Sequence, residues 1–427
     1  MTRVGGVIIR SAVPLFLSMV TSVIGTFVVT SVLGRHATVT LAAFAVMTAV
    51  LNPAAAAVTG ALRGLGPFVA PHRDDPVRAV PVLRDARWLT LLVGTAGALA
   101  VLAVPLLARV TGVPGEVVAE LGPLPWLLAL YLLVYASGGG ATTVLVALGH
   151  SRKVLWSSLA GTAVMACCSL VLVPRLGLTG VGVAWLLWGT VGVVVANVCL
   201  RRAIGVRVSQ GRPRPARIAE LARVSVPLAA TVLIKFGGLG VITFAASTTS
   251  ARDAAAHAVL TTLTSLIMLA SLSVAQASVP EVARAADAAG ARRANRVAAL
   301  VALGGTAVGA LVLLVVSDPV LALFTDDPGV RERAAGLLPL MLLASAADGA
   351  QAVQGIGLTA LKKSAASMVY FAGGYGLMVA AAVPVAAAWG LTGLWTALAV
   401  TNLVLVVLQG TGFHRHSARV GRAVVEA

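Results

Sequence analysis

The sequence predicts an all-α polytopic membrane protein, with twelve transmembrane helices in two six-helix lobes related by pseudo-twofold symmetry along the membrane normal. Three observations predict it. The chain is 59% apolar and only 11% charged, whereas a soluble globular chain carries about 25% charged residues. Its basic residues gather on alternate loops. Two short motifs recur at one spacing of 213 residues, from 13 to 226 and from 177 to 390.

The spans come first. About 20 apolar residues in a helix cross a hydrocarbon core of about 30 Å. Stretches of that kind lie at 11–33, 39–62, 88–108, 123–148, 154–173, 179–200, 224–247, 254–279, 297–317, 335–360, 365–386 and 390–411. Ser11 to Leu33 holds no charge, which makes it too long for a signal-peptide core and long enough to span. Ala, Val, Leu and Gly do most of the filling, and small residues let membrane helices approach closely. An even number of spans puts both termini on one side.

The charges fix which side. With the N-terminus in the cytoplasm, 25 of the 32 Lys and Arg residues fall inside, among them Arg63, Arg73, Arg87, Arg201, Arg207, Arg214, Arg292, Lys362, Lys363 and Arg422. Six fall outside: Arg35, Arg109, Arg175, Arg252, Arg331 and Arg333. Lys235 alone lies within a span. This split follows the positive-inside rule, so the net charge of +17 reflects topology and contact with anionic inner-leaflet lipid rather than a nucleic-acid partner. The expected location is the cytoplasmic (inner) membrane, multi-pass, with both termini cytoplasmic.

The repeat fixes the halves. Val13-Pro14-Leu15 opens span one and Val226-Pro227-Leu228 opens span seven. Gly177-Leu178-Thr179-Gly180 precedes span six and Gly390-Leu391-Thr392-Gly393 precedes span twelve, with Ala184 and Ala397 four residues beyond. Six spans per half is even, so the halves share one orientation. The expected domains are an N-terminal lobe at 1–205, a cytoplasmic linker at 206–223 with Ser209 to Pro215 at its centre, and a C-terminal lobe with a cytoplasmic tail at 224–427.

Enzyme chemistry finds no foothold. Gly138-Gly139-Gly140 lacks the Lys-Ser/Thr of a phosphate loop and reads as a bend or a close helix contact. No carboxylate pair lies in apolar sequence, no His/Cys set has metal spacing, and Cys167, Cys168 and Cys199 read as small hydrophobes. His36 and His150 fall in loops, while His257 falls in span eight, as a helix-interface histidine or a solute contact. Only Lys235 and Asp348 are charges deep in spans. Each lies 11–12 residues from its cytoplasmic helix end, roughly 17–18 Å at 1.5 Å per residue. Ionisable groups at that depth are functional candidates, and the two are expected to form a charge pair that responds to protonation. A structural bridge locking two helices is the plain alternative.

These patterns resemble the multidrug and toxic compound extrusion (MATE) family of antiporters over nearly the whole chain. Ala12-Val13-Pro14-Leu15 through Leu33-Gly34-Arg35 is similar to the family's first span and Gly-Arg turn. Phe68-Val69-Ala70-Pro71 is similar to the start of the loop after span two. Ala255-Ala256-His257-Ala258 is similar to its span-eight signature, and the two Gly-x-x-Gly-x-x-x-Ala helix starts complete the set. The resemblance implies twelve helices in two lobes, a central cavity, rocking alternating access, and export driven by proton or sodium entry without a cofactor. The chain departs from the family where span one commonly carries Asp, here Val28, Val29 and Thr30. It departs again where span seven commonly carries Glu, here Lys235. Asp348 matches the tenth-span Asp of some members.

The resulting expectation is a monomeric secondary exporter of a small organic solute, a drug or specialised metabolite. Tyr135 (213 residues before Asp348), His257, Gln351 and Gln354 are its solute-path candidates. A flippase for a lipid-linked molecule and a non-transporting membrane scaffold or sensor are the alternatives. With Lys235 in place of an acid, neutral or anionic solutes fit better than polycations.

Overall fold

The computed structural model describes residues 2–34, 38–206, 208 and 211–420. Arg35 and its turn, His36, Arg207, Ser209 and Arg422 lie outside the described residues. All regular structure described is helical, as a bilayer requires of a chain that must satisfy its backbone hydrogen bonds within each segment.

Among the described residues, eleven helical stretches are long and apolar enough to cross a membrane. The last, Ser364–Ser417, covers two spans, because Gly390 interrupts it with φ 58° and ψ −150°. The described residues thus hold twelve such segments, where the apolar stretches predict them. Most helices exceed those stretches. Span one runs Thr2–Gly34, span seven Pro215–Ser247, span eight Ala251–Ala283 and span ten Pro328–Ala360. The helix of span seven therefore takes in residues 215–223 of the expected linker. Pro215 suits its first turn, since the N–H that proline lacks would be unpaired there in any case. Span three starts at Val80 and breaks into Val80–Leu102 and Val104–Val110. Span four breaks into Leu124–Ser137 and Ala141–Ala147, because Gly139 and Gly140 adopt φ 62° and 69°. Gly138-Gly139-Gly140 is thus a helix break.

The internal repeat is written into the backbone. Gly177, between spans five and six, has φ 53° and ψ −129°, nearly the conformation of Gly390 between spans eleven and twelve. Both Pro14 and Pro227 sit inside helices. Gly149 and Lys362, also 213 apart, both have positive φ, at 82° and 59°. One contact recurs in altered chemistry. Thr40 Oγ1 donates to Glu120 Oε1 at 2.8 Å, and the corresponding residues, Asp253 and Arg333, form a salt bridge at 2.7 Å.

The chain divides into two compact units, residues 14–233 and residues 1–13 with 234–427. The unit of 14–233 packs around Leu33, Met47, Leu51, Leu128 and Tyr131. The segment before span seven is tied to the start of span three. Arg214 donates through Nε and Nη2 to the two oxygens of Asp85 at 3.1 and 2.6 Å, Trp88 Nε1 donates to Gly211 O at 3.0 Å, and Arg87 Nη1 donates to Val208 O. The other unit packs around Leu260, Met341, Phe371, Tyr375, Leu391 and Trp395. Large apolar side chains remain outward on both units, including Phe27, Leu92, Trp126, Leu377 and Trp389, which suits contact with lipid.

Candidate transport site

Lys235 and Asp348 meet. Lys235 Nζ donates to Asp348 Oδ1 at 2.7 Å and to Oδ2 at 2.6 Å, a charge-assisted contact with both oxygens. The Asp348 side chain is 7% exposed and that of Lys235 is 29% exposed. The acid is sealed while the base retains an open side. An unpaired charge in such a place would be far costlier than the pair, so the two helices that carry them are tied together at that level.

Asp348 stands on a polar stripe of span ten. Three residues on, Gln351 Nε2 donates to Gln409 Oε1 of span twelve at 2.9 Å, and Gln409 Nε2 donates to Ser367 Oγ of span eleven at 3.2 Å. Four residues before Asp348, Ala344 O accepts a longer bond, 3.4 Å, from Asn402 Nδ2. Gln354 is half-buried and its Oε1 accepts from Asn295 Nδ2 at 2.6 Å. His257 is buried. Its Nε2 lies 3.2 Å from Thr243 Oγ1, its ring stands 5.7 Å from that of Trp395, and its Nδ1 has no hydrogen-bond partner among the described residues.

Tyr135 belongs to the other unit. It is half-buried, its hydroxyl accepts from Thr59 Oγ1 at 3.4 Å, and its ring lies 6.2 Å from Tyr131. Tyr131 in turn stacks on Trp188 at 5.6 Å and meets Trp185 edge-on at 5.5 Å. Where the second half places an acid at 348 and a carbonyl contact at 344, the first half places Tyr135 and Tyr131. Gly189 makes room for the Tyr131 ring: a Cβ on Gly189 would stand 2.6 Å from it.

The structure therefore brings Lys235, Asp348 and Gln351 onto one polar strip, places Gln354 on a neighbouring contact, and sets His257 in a separate pocket beside Trp395. Sequence reasoning missed Gln409, Asn402, Ser367 and Asn295. Uncharged polar residues are tolerated in membrane helices, so none of them stands out by type. Two amides spaced seven residues apart, 402 and 409, would have marked one face of span twelve. Asp85 was also missed as a buried acid, because span three begins eight residues earlier than its apolar stretch.

Comparison with known proteins agrees with this architecture. The family model described as MatE matches residues 227–385. The probable multidrug resistance protein NorM of Xanthomonas campestris is 27% identical over 96% of this chain and 93% of its own length. That of Xylella fastidiosa is 26% identical over 96% and 91%. Among solved structures, a MATE family multidrug resistance transporter in an outward-facing conformation has a TM-score of 0.86 at 17% identity, covering 99% of this chain and 97% of its own. A MOP superfamily transporter from Pyrococcus furiosus, described as having a binding pocket of reverse polarity that suggests a different function, has a TM-score of 0.86 at 16% identity, covering 98% and 96%. A helical chain with this many long apolar stretches, similar over nearly its whole length to multidrug transporters, reads as a multi-pass membrane transporter. Residues 227–385 match the MatE family model, and the chain as a whole is similar to MATE family transporters.

Proposed function

We propose that this chain is a secondary active exporter of organic solutes that works by alternating access in the cytoplasmic membrane, with both ends on the cytoplasmic side. It acts as a monomer in contact with anionic lipid, with residues 1–205 and 224–427 as its moving lobes, and draws on a proton or sodium gradient. The observation that carries the reading is the Lys235–Asp348 pair. Lys235 acts as a tethered cation on Asp348, occupying the carboxylate that a bound ion would otherwise hold. Protonating Asp348 removes the attraction and frees spans seven and ten from each other. Tyr135, His257, Gln351 and Gln354 line the solute path in the conformations where their present partners part.

Charge supports a solute preference. In the unit of residues 14–233, the buried acid among the described residues is Asp85, and Arg214 already neutralises it. Among the described residues a polycation finds no free carboxylate on the spans of that unit, whereas the partly exposed Lys235 side chain favours neutral or anionic solutes. The reversed pocket polarity described for the Pyrococcus relative is consistent with such a shift within this fold.

The test is dye efflux from cells without their own pumps, and uptake into everted vesicles, comparing cationic, neutral and anionic dyes with and without an ionophore. Gradient-dependent export that favours neutral or anionic dyes is expected. Selective export of dications contradicts the solute preference. Lipid scrambling without dye transport points to a flippase, and no movement of either to a scaffold.

A further inference from the structure

We infer that Gln409, acting with Gln351, is a positioning residue that holds span ten in the register presenting Asp348 to Lys235. The inference rests on the reading of that charge pair as the working element, and its test is independent of transport.

Gln409 is fully buried, Gln351 nearly so. Each amide is satisfied by the other elements of its unit: Gln351 on span ten donates to Gln409 on span twelve, which donates to Ser367 on span eleven. The three helices are pinned at one level, and that level is three residues from Asp348. Three residues on a helix share a face and stand about 4.5 Å apart along the axis. Asn402 repeats the arrangement one level away, with the same spacing of 58 residues between donor and acceptor on spans ten and twelve. Constant spacing means that these two helices run parallel in fixed register. Room for the rung comes from Gly355, where a Cβ would stand 3.0 Å from Gln409 Oε1 and 3.2 Å from Ser367 Oγ.

The first half of the chain is an internal control. Subtracting 213 from 351, 355, 367 and 409 gives Gly138, Thr142, Val154 and Ala196. The same three helices therefore pack there without this side-chain rung. The nearest counterpart, Asn197, donates to backbone oxygens, Val193 O at 3.0 Å and Gly138 O at 3.4 Å. Packing alone does not demand two buried amides, each of which is costly unless paired. What the second half has and the first lacks is the acid at 348, where the first half carries Tyr135. The rung coincides with the charge pair and orients it. Among the described residues, Lys235 on span seven contacts Asp348 directly, and Tyr375 on span eleven donates to Asn402 Oδ1 at 3.5 Å. His257 on span eight packs on Trp395, seven residues before Asn402, about 10 Å further along the helix.

The test measures the pair directly. The chain has only four lysines, and the Lys235–Asp348 bridge is the one to be read. Protein with 15N at Lys Nζ and 13C at Asp Cγ, reconstituted in lipid, gives in solid-state NMR a Lys235–Asp348 dipolar coupling, assigned as the signal that Asp348→Asn removes. Gln409→Leu leaves Gln351 unpaired and is expected to fold poorly. Gln351→Leu with Gln409→Leu replaces the rung by apolar packing of similar volume and is expected to fold. In that double variant the coupling is expected to fall by at least about half, as the contact leaves charge-assisted hydrogen-bond range. A folded double variant with the wild-type coupling overturns the inference. So does a double variant that cannot fold, since the rung would then be a folding element like any other. A chain that transports no solute would still show the loss, so the two readings fail separately.

Discussion

Replacing Gly390 by Ala tests whether the junction between spans eleven and twelve depends on backbone conformation alone. At φ 58° and ψ −150°, Gly390 occupies a region essentially closed to other residues, where occupancy costs on the order of 1–3 kcal/mol. Space is not the obstacle, because the nearest atom to a Cβ there is Asp253 Oδ2 at 3.9 Å. Ala also narrows the unfolded ensemble, which returns about 0.4–1 kcal/mol. The net expected loss is about 1–2 kcal/mol, or a fall in melting temperature of roughly 1–2 °C in detergent for a chain of this length. Gly177→Ala meets the same backbone demand at the matching junction of the first half and is expected to lose a similar amount. Gly376, helical with open space around its Cα, is the control, and Gly376→Ala is expected to gain about 0.5–1 kcal/mol. Melting followed by size-exclusion fluorescence distinguishes the three. If Gly390→Ala melts at or above the wild-type temperature, the junction does not require glycine and the reasoning fails.

Two further outcomes follow from other contacts. Arg214→Ala removes both bonds to the buried Asp85 carboxylate, and the start of span seven is expected to be cut faster by trypsin after Arg217, since Pro213 blocks cleavage after Arg212. An unchanged cleavage rate would mean that Trp88 and Arg87 suffice to hold it. The His150 ring is held below its ordinary pKa by burial, then by the charges of Lys153 and Arg73. The unfolded chain therefore takes up that proton first. The contribution of neutral His150 to stability is present above about pH 6.5 and is lost as the pH falls through the lower folded value. The difference in melting temperature between pH 7.5 and pH 5.5 should be smaller in His150→Gln than in the wild type, and an equal difference would assign the pH response to other groups.

The parts of this structure that sequence made legible are those set by composition over long windows. Uncharged stretches of about 20 residues marked the spans, and the two motifs at a spacing of 213 marked the repeat that Gly177 and Gly390 carry in their backbones. Lys235 and Asp348 stood out because a charge within a span is rare for a strong physical reason. The helix ends were less legible. Polar first and last turns, as at Pro215 and Val80, continue a helix past its apolar stretch and leave no hydropathy signal. Gln409, Ser367 and Asn295 were illegible for a different reason. Their significance lies in contacts across three helices that are distant in sequence, and an amide in a membrane helix has no distinctive periodicity until its partner is known. The bidentate Asp85–Arg214 contact spans 129 residues and is equally invisible to local pattern.

The central claim, that Lys235 and Asp348 form a protonation-sensitive couple rather than a permanent brace, is tested most directly by transport against pH for three variants. Lys235→Ala and Asp348→Asn each leave one member of the pair without its partner, at a cost of about 3–5 kcal/mol for a buried pair and toward the low end here, since Lys235 keeps an exposed side. Both single variants should give less folded protein. The double variant removes both charges and should recover folded yield. Using a dye that the wild type exports, the account predicts that the double variant folds but transports slowly, with a rate that no longer varies with pH. A double variant that recovers both the wild-type rate and the wild-type pH profile would contradict it and leave the pair a structural bridge.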